Sequence, residues 1–197
     1  MSLGLGMLSN PSRRAVLGGI AALAVPLPVW ADADFRIDWQ GGEQTPEVAA
    51  SLAAQIALVQ ALAISDDAMT FFRSQVITVD RAMGTKTRAG PHGVFFERRA
   101  VPADNPVLLH ELLHRWQLAR MGGPRDPDVV RFYNEAKRDA IFPPNAYLMT
   151  NPMEFFAMTA STVLHGRAAR PPYTRDNVKA KMPGLYRFIV KEFGFRG

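Results

Sequence analysis

The chain has 197 residues, a length typical of a single domain, and it contains no cysteine. Without thiols it can neither form disulfides nor hold zinc through thiolates, so any zinc ligands must be histidines and carboxylates. The formal net charge is +5, from 23 Lys and Arg against 18 Asp and Glu. This mildly basic, scattered charge weakly favours an acidic partner or an envelope surface, and it does not predict a nucleic-acid-binding protein.

Residues 1–33 predict an export signal that is not part of the folded domain. Arg13 and Arg14 precede a short apolar run, and the small residues Ala31 and Ala33 suit a signal peptidase. The pattern Ser-Arg-Arg-x-x-Leu resembles the twin-arginine export signal of bacteria. The apolar run, about fourteen residues, is shorter than the ~20 that a spanning helix needs, although an uncleaved anchor stays open. We expect cleavage after one of these alanines, no stable membrane insertion afterwards, and a periplasmic or secreted protein.

The remaining residues, 34–197, are expected to form one domain. Residues 45–64 predict its first helix, because Thr45 can cap the start and apolar side chains recur at helical spacing. Two strands are predicted over residues 75–80 and 93–101, where β-branched and aromatic residues concentrate. We expect these strands to be antiparallel and joined by the basic, turn-rich loop between them.

Residues 104–122 predict the next helix. Asp104 or Asn105 can cap its start, Pro106 suits its first turn, and Gly122 suits the position just past its end. Leucines and a tryptophan make most of its circumference apolar, so we expect this helix to be buried.

The central motif, His110-Glu111-Leu-Leu-His114, lies on this helix. At about 3.6 residues per turn, His110 and His114 fall on one face and their imidazoles can bind the same ion. Glu111 lies about 100° further around the helix, where it can reach a water on the ion without ligating it. The pattern therefore predicts a zinc site with a carboxylate as general base.

A catalytic zinc site needs a third protein ligand and one open position. Glu154 is the best candidate, because Asn151 can cap and Pro152 can begin a helix that has Glu154 in its first turn. His92, in a loop, and His165, at a helix end, are weaker candidates. The spacing Asn-x-x-Glu also predicts a capping box, in which the glutamate would fold back onto the cap amide. From the residues alone, both interpretations of Glu154 are open.

Two further helices are predicted on either side of the Glu154 helix. Residues 128–141 are predicted to form an amphipathic helix with a charged, solvent-exposed face. Residues 174–193 read as a terminal helix that is broken near Pro183 and packs on the core.

The motif helix, followed by Tyr-x6-Glu-Phe-Phe-Ala, resembles the gluzincin metallopeptidases, especially those related to anthrax lethal factor. The shared pattern covers roughly residues 106–166. The resemblance implies a zincin-like α+β fold, mostly helical, with a small antiparallel or mixed sheet beside the motif helix. It also implies that Glu154 is the third zinc ligand and that Tyr147 donates a hydrogen bond to the tetrahedral intermediate.

Two further expectations depend on this resemblance. In zincins the strand ahead of the motif helix commonly binds extended peptide as a sheet edge, so residues 93–101 are either such an edge or an ordinary core strand. Gluzincins often carry a carboxylate one turn after the ligand glutamate, where it holds a zinc imidazole. Met158 stands at that position here. The imidazoles must therefore find another partner, with Asn151 or Thr159 as candidates.

The function that these observations predict is an exported metallopeptidase with one Zn²⁺ on His110, His114 and Glu154. A peptide or protein would be hydrolysed by water that the zinc activates, with Glu111 as general base and Tyr147 stabilising the oxyanion. Two alternatives are open: a non-catalytic envelope protein that retains zinc to bind a partner, and a hydrolase of peptidoglycan cross-links.

Overall fold

The computed structural model describes residues 35–41, 44–81, 85–102 and 104–197. The export signal predicted for residues 1–33 therefore lies outside the described residues. Within the described part, no helix combines the length and the apolar character needed to cross a membrane.

Seven helices and four short strands are formed by the described residues, so the predicted α+β class, mostly helical with a small mixed sheet, is confirmed. Their order along the chain is β1 (Arg36–Trp39), α1 (Pro46–Gln60), α2 (Asp66–Ser74), β2 (Val76–Val79), β3 (Arg88–Ala89), β4 (Gly93–Phe96), α3 (Val107–Arg120), α4 (Pro127–Arg138), α5 (Pro152–His165), α6 (Arg175–Lys181) and α7 (Pro183–Phe193). The break between α6 and α7 falls at the predicted proline. Helix α1 ends before the predicted Ile64.

The sheet has the strand order β1-β2-β4-β3. Strands β1, β2 and β4 are parallel, and β3 is antiparallel to β4. The expectation that β2 and β4 are antiparallel is therefore wrong, because the intervening strand β3 already reverses the chain direction and β4 then returns between β3 and β2, parallel to β2. Gly93 allows the close approach: a Cβ there would lie 2.1 Å from the carbonyl oxygen of Val76.

Strand β4 lies between β2 and β3, so of the two interpretations of residues 93–101 the ordinary core strand is confirmed for Gly93–Phe96 and the sheet edge is wrong. Among the described residues the edge nearer the motif helix is β3, which lies within the segment that the sequence predicted to be only a loop. A strand of two residues carries too short a pattern to be recognised.

Helix α3 begins without the predicted cap from Asp104 or Asn105. Instead, the side chain of Gln55, fully buried on α1, bridges the helix start. Its Oε1 accepts a hydrogen bond from the Leu108 N–H at 3.1 Å, and its Nε2 donates to the Asn105 carbonyl at 2.8 Å. Asp104 forms an ion pair with Arg167 at 2.9 Å. The Gln55 side chain therefore supplies the hydrogen bonds that a capping residue would supply at the start of α3. Capping rules consider only residues next to the helix, so they do not predict this contact.

Helices α3 and α5 pack extensively on each other and contribute fully buried side chains to the core. Leu109 and Leu113 of α3 and Phe155 and Phe156 of α5 are all fully buried. Burial of side chains of this size stabilises the fold by about 1.5–3 kcal/mol each. The pair of helices is therefore a rigid support for polar side chains at their contact.

Candidate metal centre

The described residues bring three predicted ligands together where α3 meets α5. The Nε2 atoms of His110 and His114 are 3.1 Å apart. The carboxylate of Glu154 lies 3.1 Å from His110 Nε2 through Oε2 and 3.5 Å from His114 Nε2 through Oε1. This cluster is a possible metal site by geometry, and its side chains are 10–18% exposed.

These separations fit a zinc ion. Tetrahedral coordination with bonds of about 2.0–2.1 Å places neighbouring ligand atoms about 3.3–3.4 Å apart. The observed separations of 3.1, 3.1 and 3.5 Å lie near that value, with the two imidazoles facing different oxygens of the Glu154 carboxylate. The donor set of two imidazoles and one carboxylate also suits zinc and leaves a fourth position for solvent or substrate.

The carboxylate of Glu154 does not complete a capping box, because both of its oxygens face the imidazoles. The other half of the predicted motif is present: Asn151 Oδ1 accepts a hydrogen bond from the Glu154 N–H at 2.9 Å. Asn151 therefore fixes the first turn of α5 and leaves the glutamate side chain free to point toward α3.

The charges within the cluster are strongly coupled. Burial by itself would raise the pKa of Glu154, but hydrogen bonds and charge from His110 and His114 outweigh it and hold that pKa well below its usual range. Burial likewise opposes the protonation of His114, yet Glu154 and Glu111 raise the pKa of His114 above its ordinary value. The carboxylate is therefore ionised, as a metal ligand must be, and it attracts positive charge.

Glu111 lies beside the cluster and contacts the sheet edge. Its Oε2 accepts a hydrogen bond of 2.7 Å from the backbone N–H of Ala89 in β3. Burial raises the pKa of Glu111, against the opposing effects of the two imidazoles and of this amide. A carboxyl group with a raised pKa suits proton transfer near neutral pH. The contact of Ala89 was not predictable, because β3 itself was not predicted.

The residue that holds the His114 imidazole on the side away from the cluster was not predicted from the sequence. Nδ1 of His114 lies 3.2 Å from Oε1 of Gln117, which is fully buried. The expected partners Asn151 and Thr159 do not fill this role: Asn151 caps α5, and the Thr159 hydroxyl donates to the Phe155 carbonyl at 2.7 Å. The i, i+3 spacing of His114 and Gln117 on one helix is a pattern that could have identified the contact.

The other imidazole lacks such a partner. Nδ1 of His110 is buried and, among the described residues, makes no hydrogen bond. Met158 stands where a gluzincin often has a carboxylate, and it is buried. In the described part of the chain, a polar side chain therefore holds Nδ1 of His114 but not Nδ1 of His110.

Tyr147 begins a short 3-10 turn (Tyr147–Met149) ahead of α5. Its ring centroid lies 6.5 Å from that of His110, and the residue is 44% exposed. Partial burial and the nearby carboxylate of Glu154 raise the pKa of Tyr147 to about 12. The phenol is therefore neutral near physiological pH and can donate a hydrogen bond toward the cluster.

The two weaker ligand candidates lie outside the cluster. His92 is exposed in the turn between β3 and β4. His165 ends α5, where burial and the charges of Arg167 and Arg175 lower its pKa. Arg175, rather than His165, bonds the last carbonyls of that helix, at 2.6 Å and 3.3 Å.

A cleft of about 290 Å³ opens beside the cluster. His110, Glu111, Tyr147 and Met158 line it. Lys86 and Arg170, which are exposed, also line it, and we call these two residues its rim. Through His110, the ligand cluster therefore borders a cleft that can admit a molecule larger than water.

No family model matches the chain, and no curated protein matches it. Among solved structures, the Pro-Pro endopeptidase PPEP-2 from Paenibacillus alvei is similar to this chain with a TM-score of 0.55 and 17% identity. The match covers 80% of this chain and 97% of that one. At this identity the likeness concerns the fold, which this chain shares with an endopeptidase.

Proposed function

We propose that this protein is a zinc-dependent metallopeptidase of the gluzincin type. The observation that carries the proposal is the convergence of the His110, His114 and Glu154 side chains at distances close to those of a zinc site, with Glu111 beside them. The fold shared with an endopeptidase and the cleft next to the cluster support the same conclusion. Its substrate would be a peptide or a protein.

Zinc held by these three side chains would supply a Lewis acid that polarises a peptide carbonyl and makes water more acidic. Glu111 accepts the proton of the attacking water and then delivers it to the leaving amine. The Ala89 amide holds the Glu111 carboxylate in place through both transfers. Gln117 fixes the ring of His114, so that its Nε2 faces His110 and Glu154, where it would bind the ion.

Replacement of Tyr147 with phenylalanine is expected to lower kcat about 10²–10³-fold while KM and bound zinc stay nearly unchanged. The reason is that the hydroxyl would donate to negative charge that develops only in the transition state. Steady-state kinetics and metal analysis on the same preparation measure the three quantities. Tyr186→Phe on α7 is the matched control, and equal kcat for Tyr147→Phe and wild type would contradict the assignment.

The proposed activity is tested by incubating the purified, zinc-loaded chain with a mixed peptide library and detecting new termini by mass spectrometry. We expect cleavage that a chelator abolishes and added zinc restores. Stoichiometric zinc without cleavage of any peptide or denatured protein would favour a metal-binding protein without peptidase activity.

We further propose that the chain is exported to the periplasm or beyond. Support comes from the sequence alone, with Arg13 and Arg14 ahead of a short apolar run. Replacement of both arginines with lysine is expected to retain the protein in the cytoplasm, whereas the unaltered chain is recovered outside it with a shortened N-terminus. Cell fractionation and N-terminal sequencing measure this, and an intact N-terminus in the cytoplasm would contradict the proposal.

A further inference from the structure

The charged side chains that line the cleft are unequally neutralised. They are Lys86, Glu97, Arg99, Glu111 and Arg170. Glu97 is buried and forms its ion pair with Arg99, so it does not neutralise the other cations. Lys86 and Arg170 are exposed, and no ion pair to either is found among the described residues. Two positive charges at the rim are therefore available to a ligand.

Arg170 lies close to the proposed reaction centre. Its guanidinium carbon is 5.3 Å from the ring centroid of Tyr147, which in turn is 6.5 Å from that of His110. The guanidinium is thus no more than about 12 Å from the His110 ring, a distance that three or four residues of extended peptide span at ~3.3–3.6 Å each.

The backbone that carries Arg170 is held by hydrogen bonds. Arg167 and Thr174 form an antiparallel bridge, and the Ala168 N–H donates to the Tyr173 carbonyl at 2.8 Å. The Tyr173 N–H donates to the Arg170 carbonyl at 3.1 Å. The turn over residues 167–174 therefore presents the arginine at a fixed place on the rim, with its side chain packed over an aromatic ring.

We propose that Arg170, assisted by Lys86, binds a carboxylate of the peptide substrate within about three residues of the bond that is cleaved. This inference rests on the proposed peptidase function and names its substrate class, peptides that carry a carboxylate close to the cleaved bond. The carboxylate is either an Asp or Glu side chain or the free C-terminus of the substrate. In both cases the planar guanidinium offers paired donors that match the two carboxylate oxygens.

The size of the effect follows from the exposure of both cations. An exposed pair is partly screened by water and salt, so we expect a rim contact to change kcat/KM by roughly five- to tenfold rather than by orders of magnitude. The same screening predicts that the preference for a peptide with this carboxylate over one without it disappears at about 1 M salt, where the Debye length is only about 3 Å.

The test uses peptide pairs that differ in one carboxylate. Variants are made of a peptide that the library identifies as a substrate. At each of three positions on either side of the cleaved bond, a peptide with Asp is compared with one with Asn. A peptide with a free C-terminus is also compared with the same peptide amidated at its C-terminus. We expect one pair to show a five- to tenfold higher kcat/KM for the acid. The position of that pair identifies the source of the carboxylate. Equal values for all pairs would overturn the inference while leaving the peptidase proposal intact.

The residue assignment is tested by Arg170→Gln and Arg170→Glu. We expect the first to remove the preference, so that the acidic and neutral peptides differ by less than about twofold in kcat/KM, and the second to favour a Lys peptide. Arg167→Gln is the matched control, because it removes the same charge from the same turn but lies in an ion pair with Asp104 outside the cleft. A preference that survives in Arg170→Gln would overturn the assignment.

Binding separates this inference from the peptidase proposal. Dissociation constants for the same acid and neutral peptides are measured by fluorescence anisotropy on zinc-loaded Glu111→Gln. Tighter binding of the acidic peptide, lost in the double variant with Arg170→Gln, supports the carboxylate site even if no peptide is hydrolysed. Equal affinities, or no binding of the acidic peptides at all, would overturn it.

Discussion

Glu111→Gln is expected to retain a full equivalent of zinc and to lose hydrolysis by at least about 10³-fold in kcat. The glutamine has nearly the shape of the glutamate and can still accept the hydrogen bond from the Ala89 N–H, but it cannot take a proton from water. The substitution therefore removes one chemical step and keeps the geometry. Metal analysis and kcat on a library-derived peptide measure the two quantities.

The informative contrast is between metal content and activity. Glu47→Gln, which makes the same chemical change in the first turn of α1, is expected to match wild type in both. Substantial turnover by Glu111→Gln would remove Glu111 from the mechanism. Loss of zinc from Glu111→Gln would instead mean that this side chain supports the ligand cluster.

Glu154→Ala is expected to lower zinc affinity by more than about 100-fold, exceeding the 10–100-fold typical of outer partners of a metal ligand. The alanine variant leaves two imidazoles with Nε2 atoms 3.1 Å apart and no anionic ligand to balance the ion. Competition with a chromogenic chelator measures the affinity. Hydrolysis is expected to fall with the fraction of protein that still holds zinc.

Asn151→Ala distinguishes the ligand role of Glu154 from a capping role. Loss of the cap bond at 2.9 Å is expected to cost about 1 kcal/mol of stability and to leave zinc bound. Thermal unfolding adds a second readout: zinc should raise the Tm of wild type and of Asn151→Ala, whereas Glu154→Ala should need about 100-fold more zinc for the same rise. Equal zinc affinity in wild type and Glu154→Ala would show that another group is the third ligand.

The features of the site that were predicted from the sequence are set by interactions within a single helix. His110 and His114 share a face because four residues nearly complete a turn, and this holds wherever the helix packs. Asn151, Pro152 and Gly166 delimit α5 through local backbone chemistry, and Gly166 adopts a φ of 99° at its end. That Glu154 faces these imidazoles followed from the need for a third ligand and from a family resemblance, and the structure brings the three together.

The errors concern contacts between segments distant in the sequence. Gln55 reaches the start of α3 from 53 residues away, and Ala89 reaches Glu111 from 22 residues away. Neither residue carries a local pattern that marks its partner. The direction of β4 was wrong for the same reason, since alternation and composition predict that a strand exists and not which neighbour it pairs with.

By itself, the sequence determined the motif helix, the limits of α5 and the residue types that can bind a metal, because hydrogen bonds and side-chain spacing within one helix depend on neighbours a few residues away. The tertiary structure alone decided which backbone amide holds Glu111, which amide side chain orients His114, and which arginine stands at the rim of the cleft. Those pairings depend on how α1, α3, α5 and the sheet pack, and packing is set by the whole core rather than by any single stretch of the chain.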